Sequence, residues 1–307
     1  MASLRELRRR IRSVGNIQQI TRALEMLAIT RLRRYQGKAL AARPYTEELQ
    51  RMLARLAPLA GEGALRHPLF APRGGEAPDR KKKGAPLALL LVTSDRGYCG
   101  AYNTNVLERV RSFRDERPGT AVRLYVFGRK GYSHLVKRGE EVARYFAEPP
   151  LERMDFRAAR LVAKQLVEAF LAGEFGELHV FYTRFLSMFS QRPTRLRLLP
   201  IDASSLLADA GEPGGKDAGL RDMILEPDAA TIFATLVPKV LETKIYHLLL
   251  ESLTSEYAAR RLAMKNATEA AEEMRDDLWR LLNRARQERI TRELLEIVGG
   301  AEALKSA

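Results

Sequence analysis

The sequence is poor in the side chains that build metal centres and covalent frameworks. Its one cysteine, Cys99, excludes an internal disulfide and a cysteine-based zinc site. Four histidines (His67, His134, His179, His247) are scattered with no metal-ligand spacing, so no metal or other cofactor is expected. The longest apolar run, residues 85–93, falls far short of the roughly 20 residues that cross a bilayer. Acid is scarce as well: 38 Asp and Glu face 52 Lys and Arg in 307 residues, leaving a net charge of +14. With 46% apolar residues, the chain can still fill at least one core, which excludes wholesale disorder. A soluble or membrane-peripheral protein of one or two domains is expected.

The basic excess is concentrated. The first 40 residues hold ten Lys and Arg, among them Arg8, Arg9, Arg12, Arg31 and Arg33, against Glu6 and Glu25 alone. An Arg-rich, acid-poor start can mark a transit peptide. Here Ser3 and Glu6 form a capping box, and the apolar register continues past any cleavage site, so the segment reads as mature structure. Apolar residues recur at Leu4, Leu7, Ile11, Val14, Ile17, Ile20, Leu24 and Leu27, a narrow coiled-coil seam with a stammer between Val14 and Ile20. Pro44 is expected to break or bend the helix further on. Such unrelieved positive charge favours an anionic partner, either nucleic acid or acidic protein loops. Tyr35 is the one aromatic available for base stacking, so sequence-specific nucleic-acid reading is not expected.

Four segments follow from the pattern: an amino-terminal helix (1–59), a Gly, Pro and Lys-rich linker (60–85), an α/β domain (86–220) and a carboxyl-terminal helix (221–307). In the third, strands are expected at 87–93, 121–127, 178–185 and 194–199, and helices at 103–113 and 151–171, with Gly128 and Gly131 read as a turn. That order implies a small, mostly parallel sheet with right-handed crossovers, and residues 201–220 read as a loop. After Asp228, a plausible N-cap, no glycine appears until Gly299. A helix of that length would extend roughly 100 Å, too long to lie on such a domain. Met264, Ala267, Ala271, Met274, Leu278, Leu281 and Ala285 keep a heptad rhythm in it. Two seam-bearing helices at opposite ends of a chain, separated by a compact domain, pair antiparallel as a stiff rod. The fold class expected is therefore a long antiparallel two-helix coiled coil carrying an inserted Rossmann-like α/β domain.

Nothing in the chain spells out a reaction. The stretch GEPGGKD (211–217) has the wrong spacing for a phosphate loop, Asp217 in place of Ser or Thr, and no strand before it. The turn Ser94, Asp95, Arg96, Gly97, Tyr98, Cys99, Gly100, with Asn103 after it, sits where open α/β sheets place ligands. No histidine completes a nucleophile pair there, so a structural turn around a buried Cys99 is the better reading.

Three stretches together carry a family likeness. The opening MASLRELRRRIRSVGNIQQITRALEMLA, the turn SDRGYCGAYN and the close from LLESLTSEYAARRLAMKNATEAAEEM to ARQERITRELLEIVGGAEAL resemble the gamma subunit of F-type ATP synthases. The resemblance implies a central rotor: a coiled coil inside a ring of alternating alpha and beta subunits, with its α/β domain standing beside the epsilon subunit on the membrane c-ring. It implies no bond-making by the chain, which would couple proton or other ion-driven rotation to ATP synthesis on the beta subunits, or pump ions in reverse. Residue by residue, Arg286, Gln287 and Thr291 would contact beta-subunit loops, as would the basic Arg8, Arg9, Arg12, Arg31 and Arg33. Leu294, Leu295, Ile297 and Val298 would form an apolar bearing. The likeness also implies a peripheral protein at the cytoplasmic face of a bacterial membrane, binding no nucleic acid. Gly15, Leu24 and Tyr98 depart from the family pattern, and the regulatory cysteine pair of chloroplast relatives is absent. A basic, coiled-coil nucleic-acid-associated protein and an enzyme built on the α/β domain are the rival readings.

Overall fold

A computed structural model of the chain describes residues 3–59, 67–70, 86–201 and 225–305. The expected linker lies outside these residues except for 67–70, and so do most of the 201–220 loop and the GEPGGKD stretch. Two helices dominate: α1 spans Leu4–Leu59, and α5 spans Ala229–Lys305. Between them lie β1 (Leu87–Val92), α2 (Tyr102–Asp115), β2 (Val122–Phe127), α3 (Arg129–Lys137) and β3 (Val142–Phe146). A 3-10 turn at Leu151–Arg153, α4 (Phe156–Leu171), β4 (Glu177–Phe185) and β5 (Gln191–Leu199) complete the domain. The chain divides into two compact units, Met1–Ile29 with Arg260–Ala307, and Thr30–Ala259.

In the second unit the sheet order is β3-β2-β1-β4-β5. β1 runs parallel to β2 and β4, β2 runs parallel to β3, and β5 is antiparallel to β4. β1 is central and wholly buried, as its LALLLV run requires of a strand covered on both faces. Its Leu87, Leu89 and Leu91 pack with Val106, Val110 and Phe113 of α2 into the core. Pro193 is tolerated because β5 is an edge strand.

Two elements depart from the sequence expectation. β3 is a half-exposed edge strand with no apolar run to announce it. The Gly128–Gly131 turn is instead the start of α3. Both glycines are there for close approach: a Cβ on Gly128 would lie 2.0 Å from the Thr93 carbonyl oxygen, and one on Gly131 would lie 2.5 Å from Thr93 Oγ1. Gly131 N–H donates to that same hydroxyl at 3.0 Å.

The helices also correct the sequence reading. Pro44 neither breaks nor ends α1, which continues to Leu59. Asp228 caps α5, its Oδ1 accepting from Thr231 N–H at 2.9 Å. The α1 seam has no stammer. Its inward positions are Leu4, Leu7, Ile11, Val14, Gln18, Thr21, Glu25 and Ala28, alternating steps of three and four. Ile17 and Ile20 are 52% and 59% exposed, and Leu27 also faces outward. On α5 the seam runs through Met264, Thr268, Ala271, Arg275, Leu278, Leu282 and Ala285. Met274 and Leu281, expected inside, are exposed, while Leu282 is only 6% exposed.

Four of the polar residues at inward positions pair across the seam. Thr268 Oγ1 donates to Thr21 Oγ1 at 2.8 Å, and Arg275 Nη1 donates to Gln18 Oε1 at 2.9 Å. These levels fix the antiparallel register. Followed along both helices, Leu4 stands level with about residue 289, so the last four turns of α5, about 24 Å, extend past the partner helix.

Candidate coupling surface

The first unit exposes three kinds of side chain. On α1, Arg5, Arg8, Arg9 and Arg12 fall within about a 100° arc on the side away from the seam, and all are exposed. Glu6, the one acid beside them, is engaged by Arg10 at 2.6 Å. This band therefore keeps its positive charge for a partner. The second kind is apolar: Ile17, Ile20 and Leu27 on α1, with Met274, Trp279 and Leu281 on α5. A free-standing helix pair would place such residues inside, so their number outside makes this an unusually apolar exposed surface.

The third lies on the extended end of α5. Gln287, Thr291, Leu294 and Val298 line one face at helical spacing, and Arg286, Ile290 and Ile297 line the face beside it. All are exposed, as is Leu295 at 67%. Neighbouring charges are matched along the helix, Arg284 with Glu288 and Arg289 with Glu293. The extension thus combines polar groups that can grip with apolar groups that can slide.

The arginines from the sequence reading do not all fall together. Arg33 is exposed on α1. Arg31 is committed within the second unit, its Nη1 donating to Glu152 Oε2 at 2.7 Å and to Tyr257 OH at 2.6 Å. The bond with Tyr257 holds the Arg31 guanidinium above its ordinary pKa, and burial raises that of the Tyr257 phenol. No sequence motif announced Glu152; its partners lie more than 100 residues away in both directions.

The turn after β1 is tied by a knot of hydrogen bonds around Ser94 and Asn103. Ser94 N–H donates to Asn103 Oδ1 at 2.9 Å, Ser94 Oγ to the Arg96 carbonyl at 2.7 Å, and Asn103 Nδ2 to Ser94 Oγ at 2.8 Å. Asn103 Nδ2 also reaches the buried Cys99 sulfur at 3.3 Å. Asp95 Oδ1 accepts from Arg129 N–H at 3.0 Å at the start of α3. Gly97 packs beside the Lys130 stem, and Gly100 takes φ +56°. Tyr98, with φ +63°, accepts backbone strain of about 1–2 kcal/mol at an exposed position. Ser94 and Asn103 satisfy one another, and these partners, an amide side chain and a backbone carbonyl, are not bases that could activate Ser94 or Cys99.

At the opposite, amino edge of the sheet an open depression of about 500 Å³ is lined by Arg111, Arg114, Arg117, His134, Arg138 and Glu140. Arg114 is paired with Glu140 and Arg111 with Asp115. Among the described residues no group of His, Cys, Asp and Glu could hold a metal, and no helix is long and apolar enough to cross a membrane.

A family model described as ATP synthase matches residues 3–304. The chain is 40% identical over 307 residues to the ATP synthase gamma chain of Desulfitobacterium hafniense (strain DSM 10664 / DCB-2), covering 99% of this chain and all of the relative. The chain belongs to the ATP synthase gamma chain family. It is 38% identical to the gamma chain of Dehalococcoides mccartyi (strain CBDB1), again over 99% of this chain and all of that one. Its fold matches a chain of the Euglena gracilis mitochondrial ATP synthase rotor, with a TM-score of 0.59 and 17% identity over 94% of this chain and 98% of that one. A chain from the OSCP/F1/c-ring structure of the same enzyme gives 0.64 and 19% over 98% and 94%. As a gamma chain, the protein is a subunit of a membrane-associated complex, and the fold is the one expected: a long antiparallel helix pair with an inserted Rossmann-like α/β domain.

Proposed function

We propose that the chain is the central rotor shaft of a rotary ATP synthase, turning within a ring of alpha and beta subunits and standing with the epsilon subunit on a membrane c-ring. It catalyses nothing itself. Rotation couples to chemistry because the shaft's contacts differ from one beta subunit to the next, so each angle changes the relative free energies of their nucleotide-site conformations. The observation that carries the reading is the outward apolar surface of the first unit together with the unpartnered end of α5. Non-directional apolar contacts let a shaft turn where hydrogen bonds would arrest it.

Polar grips act at particular angles. Arg286, with its planar fork of donors, Gln287 and Thr291 hold a beta-subunit loop, and Leu294, Leu295, Ile297 and Val298 form the bearing beyond them. Arg8, Arg9, Arg12 and Arg33 face acidic loops at the base of the ring, an attraction that salt weakens. The knot at Ser94, Asp95, Arg96, Gly97, Cys99, Gly100 and Asn103 is structural. The complex sits at the cytoplasmic face of a bacterial membrane and runs as a synthase or, in reverse, as an ATP-driven ion pump.

Affinity purification from the native membrane tests the assignment by recovering alpha, beta, epsilon and c subunits in one ATPase. A chain recovered alone, bound to nucleic acid, refutes it. Replacing Arg286 and Gln287 by Ala together should cut coupled turnover several-fold while assembly stays intact, measured as ATP synthesis per assembled complex in membrane vesicles. Unchanged synthesis in the double variant removes them from the grip.

A further inference from the structure

Within the second unit, the stretch from the 3-10 turn to the first residue of α4 touches both long helices at two levels. At the first, Arg31 of α1 and Tyr257 of α5 converge on Glu152: Arg31 Nη1 donates to Oε2 at 2.7 Å, and Tyr257 OH donates to Oε1 at 2.6 Å. Arg31 Nη1 also bridges to the Tyr257 oxygen at 2.6 Å. Tyr35 of α1 donates to the Glu152 backbone carbonyl at 2.9 Å, and its ring stacks on Tyr257 at 5.4 Å. At the second level, Phe156 meets Tyr45 of α1 edge-on at 6.5 Å and Tyr246 of α5 at 5.7 Å.

The segment that carries these groups is itself fixed. Leu151 and Met154 are buried, and Asp155 caps α4 by accepting from Ala158 N–H at 2.8 Å. Tyr35 and Tyr45 are ten residues apart on α1, about 15 Å along the axis. A body held at one point pivots, whereas one held at two points that far apart resists both tilt and twist. Further ties reach α5, where Tyr102 OH meets Ser252 Oγ at 2.7 Å and Ser255 Oγ donates to the Thr183 carbonyl at 2.9 Å, and α5 in turn meets α1 where Thr46 pairs with His247. The ion pair is only partly exposed, and its carboxylate accepts from two side chains, Arg31 and Tyr257, so its geometry is directional.

We propose that Glu152 and Phe156 form a two-point clamp that, within the second unit, sets the angular position of the α1 stretch 30–59 and the α5 stretch 229–259 on the α/β domain, with Glu152 a positioning residue for torque transfer. The proposal rests on the rotor reading. It assigns Arg31 to this internal joint.

The test uses the assembled complex of alpha, beta and gamma chains, with the ring held on a surface. A bead is attached through Leu161→Cys on the exposed face of α4, where the native Cys99 is buried and does not compete for label. Angular variance of the bead during pauses reports torsional stiffness. Glu152→Ala and Phe156→Ala should each widen that variance about twofold, as when one of two parallel supports is lost. Unloaded ATP hydrolysis should be unchanged. Should Glu152→Ala fail to assemble, Tyr257→Phe removes one hydroxyl only and should widen the variance in the same direction. Reversing the pair as Arg31→Glu with Glu152→Arg should narrow it again. Variance equal to the parent in assembled variants overturns the clamp, even if the melting temperature falls. A parent complex whose bead does not turn on ATP overturns the rotor reading and the clamp with it.

Discussion

Truncating adjacent leucines on α5 separates the two seam registers with one isobutyl-to-methyl change. Leu282 is 6% exposed and faces α1, whereas Leu281 is 52% exposed. Leu→Ala removes three carbons, about 2.4 kcal/mol of transfer free energy at full burial. Core substitutions of this type cost about 2–5 kcal/mol, and the open sides of a two-helix pair let neighbours collapse and water enter. Leu282→Ala should therefore cost about 2 kcal/mol, and Leu281→Ala no more than about 0.5 kcal/mol, the usual range for surface positions. Amide hydrogen exchange of the isolated full-length chain reads this directly. Over residues 4–28 and 260–285, Leu282→Ala should exchange about 30-fold faster than the parent, while Leu281→Ala changes little. In the assembled ATPase the proposed rotor role puts the exposed Leu281 against the ring, so the order should reverse: Leu281→Ala should lower turnover more than Leu282→Ala does per assembled complex. If Leu281→Ala accelerates exchange as much as Leu282→Ala, the register through Leu282 is wrong.

Gly15 lies inside α1 with nothing near its missing Cβ, so Gly15→Ala should slow exchange of the same helix by roughly 1 kcal/mol of local stability. Gly128→Ala should fail to give a stable second unit, since its Cβ would overlap the Thr93 carbonyl at a φ of +89°; loss of the cooperative melt checks it. Burial holds the Glu251 carboxyl above its ordinary pKa, although Phe185 N–H and Tyr182 donate to it. A carboxyl raised in the folded state favours folding below its unfolded pKa and loses that contribution as pH rises through the folded value. Glu251→Gln should therefore gain urea stability over the parent near neutrality, and the gain should vanish toward pH 4.

The strands and long helices were legible because their signals are local. The LALLLV run announces a buried strand, and Asp228 with Thr231 announces a helix start. β3 was hidden because an edge strand with half-exposed side chains has no contrast between its faces. α3 was hidden because Gly128 and Gly131, read as turn residues, answer to Thr93 more than 30 positions away. The seam failed for a related reason. Two apolar rows share α1, and a count of hydrophobic residues jumps from one to the other at Ile17. Holding a strict heptad from Leu4 would have led to Gln18, Thr21 and Ala28, the observed path. Of the site residues, the exposed Arg286 and Gln287 stand out only by family likeness, while Glu152 needed three dimensions, since Arg31 and Tyr257 meet it across 121 and 105 residues.

The inversion of polar and apolar side chains in the first unit follows from what a shaft must do. Inside the pair, the helices must not slip past each other, and a seam of leucines alone would tolerate a shift of one heptad. The hydrogen bonds Thr268 to Thr21 and Arg275 to Gln18 penalise that shift, because moving one helix by two turns leaves inward polar groups unpaired. Outside the pair, the shaft must slip, so the contact with its surroundings has to be nearly indifferent to angle. Ile17, Ile20, Leu27, Met274 and Leu281 provide area without direction, and under the proposed grip the directional Arg286 and Gln287 would mark particular angles against that even background. Exchanging the two arrangements, with leucines inside and polar bonds outside, would give a pair free to change register within a ring that holds it still.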